Sequence, residues 1–227
     1  MQVKPRVGIG VTSLRDKHLA FFKNQIAKYT NEYELVVVQD KDLKGVAWAK
    51  NECLKQLKDC DYIFIFDDDC IPVKHGWVDY FIQASKETGQ NHFIYAKPSP
   101  TIRPKQVKYF DTMAIQEWTE CSGCFMFLTK EVINTVGYYN PKYKGYGYEH
   151  AGYTNRIFNS GLNTIKYCQP IDASEYLYCM DFDFYLPYNK FLKHKPTLSY
   201  SALSKNLGHN RDVFVQDCQI VYHDHTI

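Results

Sequence analysis

The chain has 227 residues, a formal net charge of +2 and 45% hydrophobic residues. This length suits a single domain, and the small net charge gives no electrostatic reason to expect a nucleic-acid partner. The amino terminus lacks the apolar core of a signal peptide, and no apolar run approaches the roughly 20 residues of a membrane span, so we expect a cytoplasmic protein for which peripheral membrane attachment stays open.

Strand and helix patterns alternate through the first half of the chain. Apolar runs predict strands at residues 6–13, 33–40, 61–66 and 92–97, and helical spacing of apolar residues predicts helices at 18–30, 45–57 and 76–89. The run YIFIF within 61–66 is apolar throughout, as expected for a strand covered by helices on both faces. This alternation predicts an α/β fold with a mostly parallel sheet flanked by helices.

The second half is less regular. Residues 99–120 predict an irregular excursion. Beyond it we expect a strand at 123–130, helices at 130–136 and 149–159, and a strand at 163–169. Residues 172–227 show no clear periodicity and predict an irregular C-terminal tail. We divide the single domain into three parts, 1–98, 99–170 and 171–227.

Eight cysteines and many aromatic residues stand out in the composition. Cys121 and Cys124 form a CxxC pair, but no second pair follows at zinc-finger spacing, so we expect reduced cysteines in the core. Aromatic residues make up 16% of the chain. They either fill the core or line a groove in which flat sugar or base faces stack.

Three consecutive carboxylates, Asp67, Asp68 and Asp69, follow the apolar strand at 61–66. In open α/β sheets, ligands bind outside the carboxyl ends of the strands. Adjacent carboxylates repel one another unless a positive charge joins them, and Mg²⁺ or Mn²⁺ prefers such oxygen ligands. We therefore predict that Asp67 and Asp69 hold a divalent cation that bridges phosphate oxygens. The alternative is an acidic, solvent-exposed turn.

Residues 5–165 resemble nucleotide-sugar glycosyltransferases of the GT-A fold, specifically those similar to family 2. The stretches VGIGVTSLRD, VVVQDKD and GVAWAKNECLKQLKDCDYIFIFDDD follow the order of that family's nucleotide-binding half. Lys50-Asn51 stands where the family has Arg-Asn, which keeps the charge but loses the planar fork. For the donor nucleotide, the resemblance implies binding by Thr12, Arg15, Asp40, Lys50, Asn51, Asp67 and Asp68.

The stretch from residue 121 to 162 is similar to the family's acceptor-side half. It contains a small-residue strand, the turn Tyr146-Gly147-Tyr148, and then Glu149-His150, where His150 replaces the family's usual acid. The resemblance implies that Glu149 is the catalytic base. For acceptor binding it implies Ser122, Gly123, Tyr146, Tyr148 and His150. Such enzymes often take a further metal ligand from a C-terminal histidine, for which the candidates are His209, His223 and His225.

The resemblance thus implies a metal-dependent enzyme that transfers a sugar from a nucleoside diphosphate sugar, with uridine the favoured base, to a hydroxyl of a carbohydrate or glycan acceptor. Attack by that hydroxyl inverts the anomeric centre. Two alternatives remain. One is a nucleotidyltransferase that makes sugar nucleotides, although GVTSLRDKH lacks the glycines of its phosphate loop. The other is a non-catalytic module that binds nucleotides or sugars.

Most candidate residues also have a purely structural interpretation. Asp40 is a common turn former, Lys50 could be a surface charge, and Asn51 could hold a helix turn. Glu149 could be an acid favoured by the dipole at a helix N-terminus. The tyrosines at 138–148 could pack in the core, and the histidines of the tail could lie on the surface.

Overall fold

The structure, a computed structural model, describes residues 4–180 and 200–219, with only the backbone for 200–204. Within these ranges the helices are Asp16–Tyr29 (α1), Val46–Leu57 (α2), Trp77–Thr88 (α3), Lys130–Val136 (α4), Glu149–Asn159 (α5), Ala173–Tyr176 (α6) and Tyr200–Asp217 (α7). The strands are Val7–Ser13 (β1), Glu34–Gln39 (β2), Tyr62–Asp67 (β3), Cys70–Pro72 (β4), His92–Ile94 (β5), Pro104–Tyr109 (β6), Ala114–Trp118 (β7), Phe125–Thr129 (β8), Cys168–Pro170 (β9) and Leu177–Cys179 (β10).

Five strands form the central sheet, in the order β2-β1-β3-β8-β5. β1 pairs in parallel with β2 and with β3, whereas β8 runs antiparallel to both β3 and β5. Four of the five strands therefore point in one direction. The predicted α/β fold with a mostly parallel sheet flanked by helices is confirmed.

Strand β3 lies at the centre of this sheet and is buried on both faces. Ile63, Phe64, Ile65 and Phe66 have no solvent exposure. Because side chains alternate along a strand, the two phenylalanines join the apolar cluster on the face of α1 and α3, and the two isoleucines join the cluster on the face of α2. Burial on both faces explains why this strand is apolar throughout.

A glycine lets α2 approach the sheet closely. A Cβ added at Gly10 would lie 2.7 Å from Ile65 Cδ1 and 2.8 Å from Cys53 Cβ. Both distances are shorter than a van der Waals contact, so a larger residue here would push α2 away. The close approach matters for the site, since α2 carries Lys50.

The prediction of an irregular excursion at residues 99–120 is wrong. Strands β6 and β7 lie there and form a three-stranded antiparallel sheet with β9. Side chains of β6 are mostly exposed, so its sequence PKQVKY carries no apolar alternation by which a strand could be recognised.

Helix α7 lies in the C-terminal segment for which the sequence predicts no regular element. It packs against α5 and buries Asn210, Val213 and Asp217. Two of these three buried residues are polar, which explains why the apolar pattern of a helix is missing.

Within the described ranges, no helix combines the length and the apolar character that a membrane-spanning segment requires.

Candidate active site

A cavity of about 360 Å³ opens at the carboxyl ends of β1 and β3. Thr12 and Asp67 are direct neighbours in the parallel register of these strands, and Thr12 Oγ1 donates a hydrogen bond to Asp67 Oδ1 at 3.0 Å. The sequence-predicted residues that line the cavity are Thr12, Arg15, Asp40, Asp67, Asp68, Asp69, Ser122, Gly123, Tyr146, Glu149 and His150. The fold thus brings most of the predicted donor and acceptor residues to one cavity.

Two cations neutralise most of the charge of the acidic triplet. Arg15 pairs with Asp68 and, at 3.1 Å, with Asp69 Oδ2, while Lys50 Nζ lies 3.2 Å from Asp67 Oδ1. The expectation from the sequence is that a metal ion alone provides this neutralisation. Instead, Arg15 and Lys50 already pair with the three carboxylates. Arg15 directly precedes α1 and Lys50 lies within α2, so both helices bring a positive charge to the end of β3.

Lys50 has no solvent exposure. Burial alone would lower the pKa of Lys50, but the nearby carboxylates of Asp67 and Glu149 outweigh burial and raise it. Its Nζ also donates a hydrogen bond to the carbonyl of Gly123 at 2.6 Å. The ammonium of Lys50 therefore joins the acidic triplet to the segment that precedes β8.

Glu149 begins helix α5 and is 2% exposed. Its Oε2 accepts a hydrogen bond from the backbone N–H of Gly147 at 2.8 Å, and its Oε1 lies 3.1 Å from His150 Nδ1. Burial raises the pKa of Glu149, but His150 and the charge of Lys50 lower it by more than burial raises it. The pKa of Glu149 therefore falls below its ordinary value. The carboxylate is thus ionised near neutral pH and can accept a proton.

Gly123 provides the space that His150 occupies. A Cβ added at Gly123 would lie 2.6 Å from His150 Nδ1, so the imidazole could not stay in place beside a larger residue. Ser122, the preceding residue, lies in the cavity wall and directs its Oγ toward Cys124 Sγ at 3.1 Å. The absence of a side chain at Gly123 therefore lets His150 line the cavity.

Asp40 and Asn51 are engaged with the backbone. Asp40 lines the cavity, but its two carboxylate oxygens accept hydrogen bonds from the N–H groups of Lys44 and Gly45, at 2.8 and 2.7 Å. Asn51 exchanges two hydrogen bonds with the backbone of Tyr139, at 2.8 and 2.9 Å, and is absent from the cavity wall. The structural interpretation of Asn51 fits these contacts better than nucleotide binding does.

The two tyrosines of the acceptor turn point in different directions. Tyr146 lines the cavity and is 50% exposed. Tyr148 is absent from the cavity wall, and its ring packs against Phe214 of α7 with centroids 5.4 Å apart. Tyr146 therefore remains a candidate for stacking against an acceptor, whereas Tyr148 anchors the turn to α7.

The structure does not bring His209 to the acidic triplet. His209 lies on α7, where its Nε2 is 2.9 Å from the carbonyl oxygen of Lys142, and it does not line the cavity. The other two histidine candidates, His223 and His225, lie outside the described residues.

Sequence reasoning missed Asn210 on α7. Its side chain is fully buried and accepts a hydrogen bond from Lys144 N at 2.9 Å. Its Nδ2 donates to the carbonyls of Lys144, Tyr146 and Gly147, at 2.8, 3.1 and 3.1 Å. Asn210 thus fixes the turn that carries Tyr146 and supports Glu149. A long-range contact of this kind leaves no local signal in the sequence.

Comparisons with known proteins place the chain among relatives of glycosyltransferases. Residues 110–180, less than a third of the chain, match the family described as the N-terminal domain of galactosyltransferase. An uncharacterized glycosyltransferase, R363, of Acanthamoeba polyphaga mimivirus is 26% identical over 144 residues, which cover 62% of this chain and 55% of the relative.

Two solved structures share the fold. One is the mannosyltransferase PcManGT from Pyrobaculum calidifontis in complex with GDP-Man and Mn²⁺, which is 11% identical, has a TM-score of 0.50, and is matched over 69% of this chain and 52% of its own. The other is GalNAc-T7 with UDP, GalNAc and Mn²⁺, which is 11% identical, has a TM-score of 0.56, and is matched over 74% of this chain and 43% of its own. The chain therefore matches about half the length of these proteins.

The chain is a GT-A-fold homologue of glycosyltransferases, which confirms the resemblance found in its sequence.

Proposed function

We propose that the protein transfers a sugar from a nucleoside diphosphate sugar to a hydroxyl group of a carbohydrate acceptor, with inversion of the anomeric centre. One observation carries this proposal. The acidic triplet at the end of β3 and the buried carboxylate of Glu149 line the same cavity. A donor diphosphate held at the triplet would then lie within one cavity with a base for the acceptor hydroxyl.

The residues present suit a divalent cation. Asp67 and Asp69 supply carboxylate oxygens at one end of the cavity, and their side chains are 32% and 12% exposed, so both can be reached from it. Such oxygens are the ligands that Mn²⁺ and Mg²⁺ prefer. A cation held there would supply positive charge to the leaving diphosphate. The related structures that contain Mn²⁺ with GDP-Man or UDP support this assignment.

The chain's own groups supply the remaining steps. Arg15 places a guanidinium in the cavity, where it can donate hydrogen bonds to phosphate oxygens. Glu149 accepts the proton of the acceptor hydroxyl as a general base. The N–H of Gly147 holds the glutamate carboxylate in place, and Tyr146 offers an exposed ring on which an acceptor sugar can pack. A single displacement of this kind inverts the configuration of the donor carbon.

The donor half of the proposal is tested by thermal unfolding with UDP, in the presence of Mn²⁺ or of excess chelator. A ligand at 100 times its Kd stabilises the folded state by about 2.7 kcal/mol. We expect UDP to stabilise the wild type only with Mn²⁺, and Asp69→Asn to lose that metal-dependent part. Asp59→Asn, an exposed acid outside the cavity, is the matched control. Equal stabilisation by UDP with chelator would contradict a metal-dependent donor site.

Turnover separates an enzyme from a binding module. Incubation of UDP-sugars with Mn²⁺ should release UDP, slowly by hydrolysis and faster with a suitable acceptor. Metal-dependent binding without any release of UDP would favour the non-catalytic module instead. Release of pyrophosphate from a nucleoside triphosphate would favour a nucleotidyltransferase.

A further inference from the structure

Three cysteine side chains meet directly behind the acidic triplet. The Sγ atoms of Cys70, Cys124 and Cys179 all lie within 4.8 Å of one another. All three residues are buried, with exposures of 0%, 4% and 0%. Among the described residues, no other group of three or more cysteine, histidine or acidic side chains has its ligand atoms so close together.

The fold assembles this cluster from three separate segments. Cys70 begins β4 and lies opposite Cys179 of β10 in an antiparallel pair. The neighbouring backbone bond, from Met180 N to Asp69 O at 3.0 Å, makes this a non-hydrogen-bonded position, where facing side chains lie closest. Cys124 arrives from the segment before β8. Local sequence spacing therefore does not predict the cluster. Cys121, which forms the CxxC pair with Cys124, does not belong to the cluster.

The other buried cysteines are engaged separately. Cys53 Sγ lies 3.9 Å from the carbonyl oxygen of Val11, and Cys168 Sγ lies 3.6 Å from that of His92. These thiols are the reduced core cysteines that the sequence predicts. The cluster of Cys70, Cys124 and Cys179 differs because its three Sγ atoms lie close to one another.

We propose that Cys70, Cys124 and Cys179 bind a thiolate-preferring divalent metal ion of the zinc class. Zinc binds cysteine sulfur at about 2.3 Å in tetrahedral sites, which places two sulfurs about 3.8 Å apart. The observed sulfurs are within about an ångström of that separation, so small side-chain rotations close the site. Cys124 lines the cavity, so a water molecule can complete the fourth position from that side.

This site is distinct from the proposed donor cation site. The donor site offers carboxylate oxygens, which suit Mg²⁺ and Mn²⁺, whereas thiolates select softer ions. The two are connected through the backbone, because Cys70 follows Asp69 and the carbonyl of Cys124 accepts a hydrogen bond from Asp67 N at 2.9 Å. A metal ion bound to the thiolates would therefore help to hold the acidic triplet in position.

The test is a titration of the reduced protein with Co²⁺ or Cd²⁺ in excess Mg²⁺, which occupies the oxygen site. We expect thiolate-to-metal charge-transfer absorption that saturates at one equivalent per chain. Cys70→Ala and Cys179→Ala should abolish it, whereas Cys53→Ala, which removes a buried cysteine outside the cluster, should keep it. Asp69→Asn should also keep it, which separates this site from the donor site.

Two results would overturn the proposal. The first is an absence of charge-transfer absorption in the reduced wild type, which needs no variant to fold. The second is unchanged absorption in folded Cys179→Ala, as judged by circular dichroism. Failure of UDP binding or of sugar transfer would leave the thiolate site standing, because the titration does not depend on the proposed function.

Discussion

Lys50 Nζ lies 3.2 Å from Asp67 Oδ1, and the lysine side chain has no solvent exposure while that of the aspartate is 32% exposed. The same ammonium donates to the carbonyl of Gly123 at 2.6 Å. One buried cation thus connects the donor side of the cavity with the acceptor side. Its loss should affect both stability and donor binding.

We predict that Lys50→Met lowers the free energy of unfolding by about 2 to 3 kcal/mol. Removing one partner of a fully buried pair costs roughly 3–5 kcal/mol, and the partial exposure of Asp67 reduces that cost. Urea unfolding of the two proteins measures the difference. Lys55→Met is the matched control on the same helix, since Lys55 makes a partly exposed pair with Glu52 and should change stability by less than about 1 kcal/mol. Equal effects of the two substitutions would show that the buried pair contributes no more than a surface pair.

Much of the donor half could be predicted because its signals are local. Strand β3 is apolar at four consecutive positions, and Asp67 follows at once, so both the strand and the end at which ligands bind are visible in ten residues. The helical spacing of apolar residues at 45–57, which predicts α2, is equally local. These patterns follow from burial on both faces of a central strand.

The rest depends on contacts between distant segments. Arg15 and Asp68 are 53 positions apart, and Asn210 and Lys144 are 66 apart, so no short pattern contains either pair. Strand β6 exposes most of its side chains and therefore lacks apolar alternation. For Asn51 the resemblance implies nucleotide binding, but both of its side-chain hydrogen bonds go to the backbone of Tyr139. A sequence motif cannot distinguish such a backbone partner from a ligand.

Asn210→Ala should loosen the acceptor turn. The substitution removes the partner of four backbone groups of residues 144–147, and buried unsatisfied polar groups cost about 1–3 kcal/mol each. If the proposed function holds, we expect a lower kcat and a higher KM for the acceptor, with an unchanged KM for the donor. Steady-state kinetics with each substrate varied measures this split. Asp212→Ala, an exposed change on the same helix, is the control. A raised donor KM alone would contradict the role assigned to Asn210.

His92 should make the fold sensitive to mild acid. Burial lowers the pKa of His92 from 6.5 to about 4, although the carbonyl of Phe127 partly opposes this. Its Nδ1 lies 2.9 Å from that carbonyl oxygen, and its Nε2 lies 3.0 Å from Thr154 Oγ1. Because the unfolded chain binds the proton more tightly, the stabilisation is complete above the unfolded pKa and is lost as pH falls toward the folded pKa.

The expected loss from His92 is about 2 kcal/mol between about pH 7 and about pH 5. Urea unfolding of the wild type and of His92→Gln at both pH values measures this contribution. Because the variant lacks the titrating group, its free energy of unfolding should fall less than that of the wild type between the two pH values. His75→Gln, which removes an exposed histidine, should lose as much as the wild type. A His92→Gln variant with the wild-type pH dependence would show that other groups control acid unfolding.

Glu149→Gln should abolish most turnover while leaving donor binding intact. The change preserves size and polarity but removes the basic oxygen that lies in the cavity. We expect turnover to fall by about 10² to 10⁴-fold, the usual contribution of a general base, with UDP and Mn²⁺ binding as in the wild type. Nuclear magnetic resonance of the product should show an inverted anomeric configuration. A retained configuration would contradict single displacement, whatever the glutamine variant does.

The pH profile of His150→Ala tests whether Glu149 or the neighbouring His150 is the general base. His150 lowers the pKa of Glu149 through a hydrogen bond and through its charge, so its removal should raise that pKa. Because the ionised carboxylate is the active form, turnover of His150→Ala should begin to fall at a higher pH than turnover of the wild type. At neutral pH the variant should lose much less activity than Glu149→Gln. An inactive His150→Ala beside an active Glu149→Gln would instead assign the base to His150.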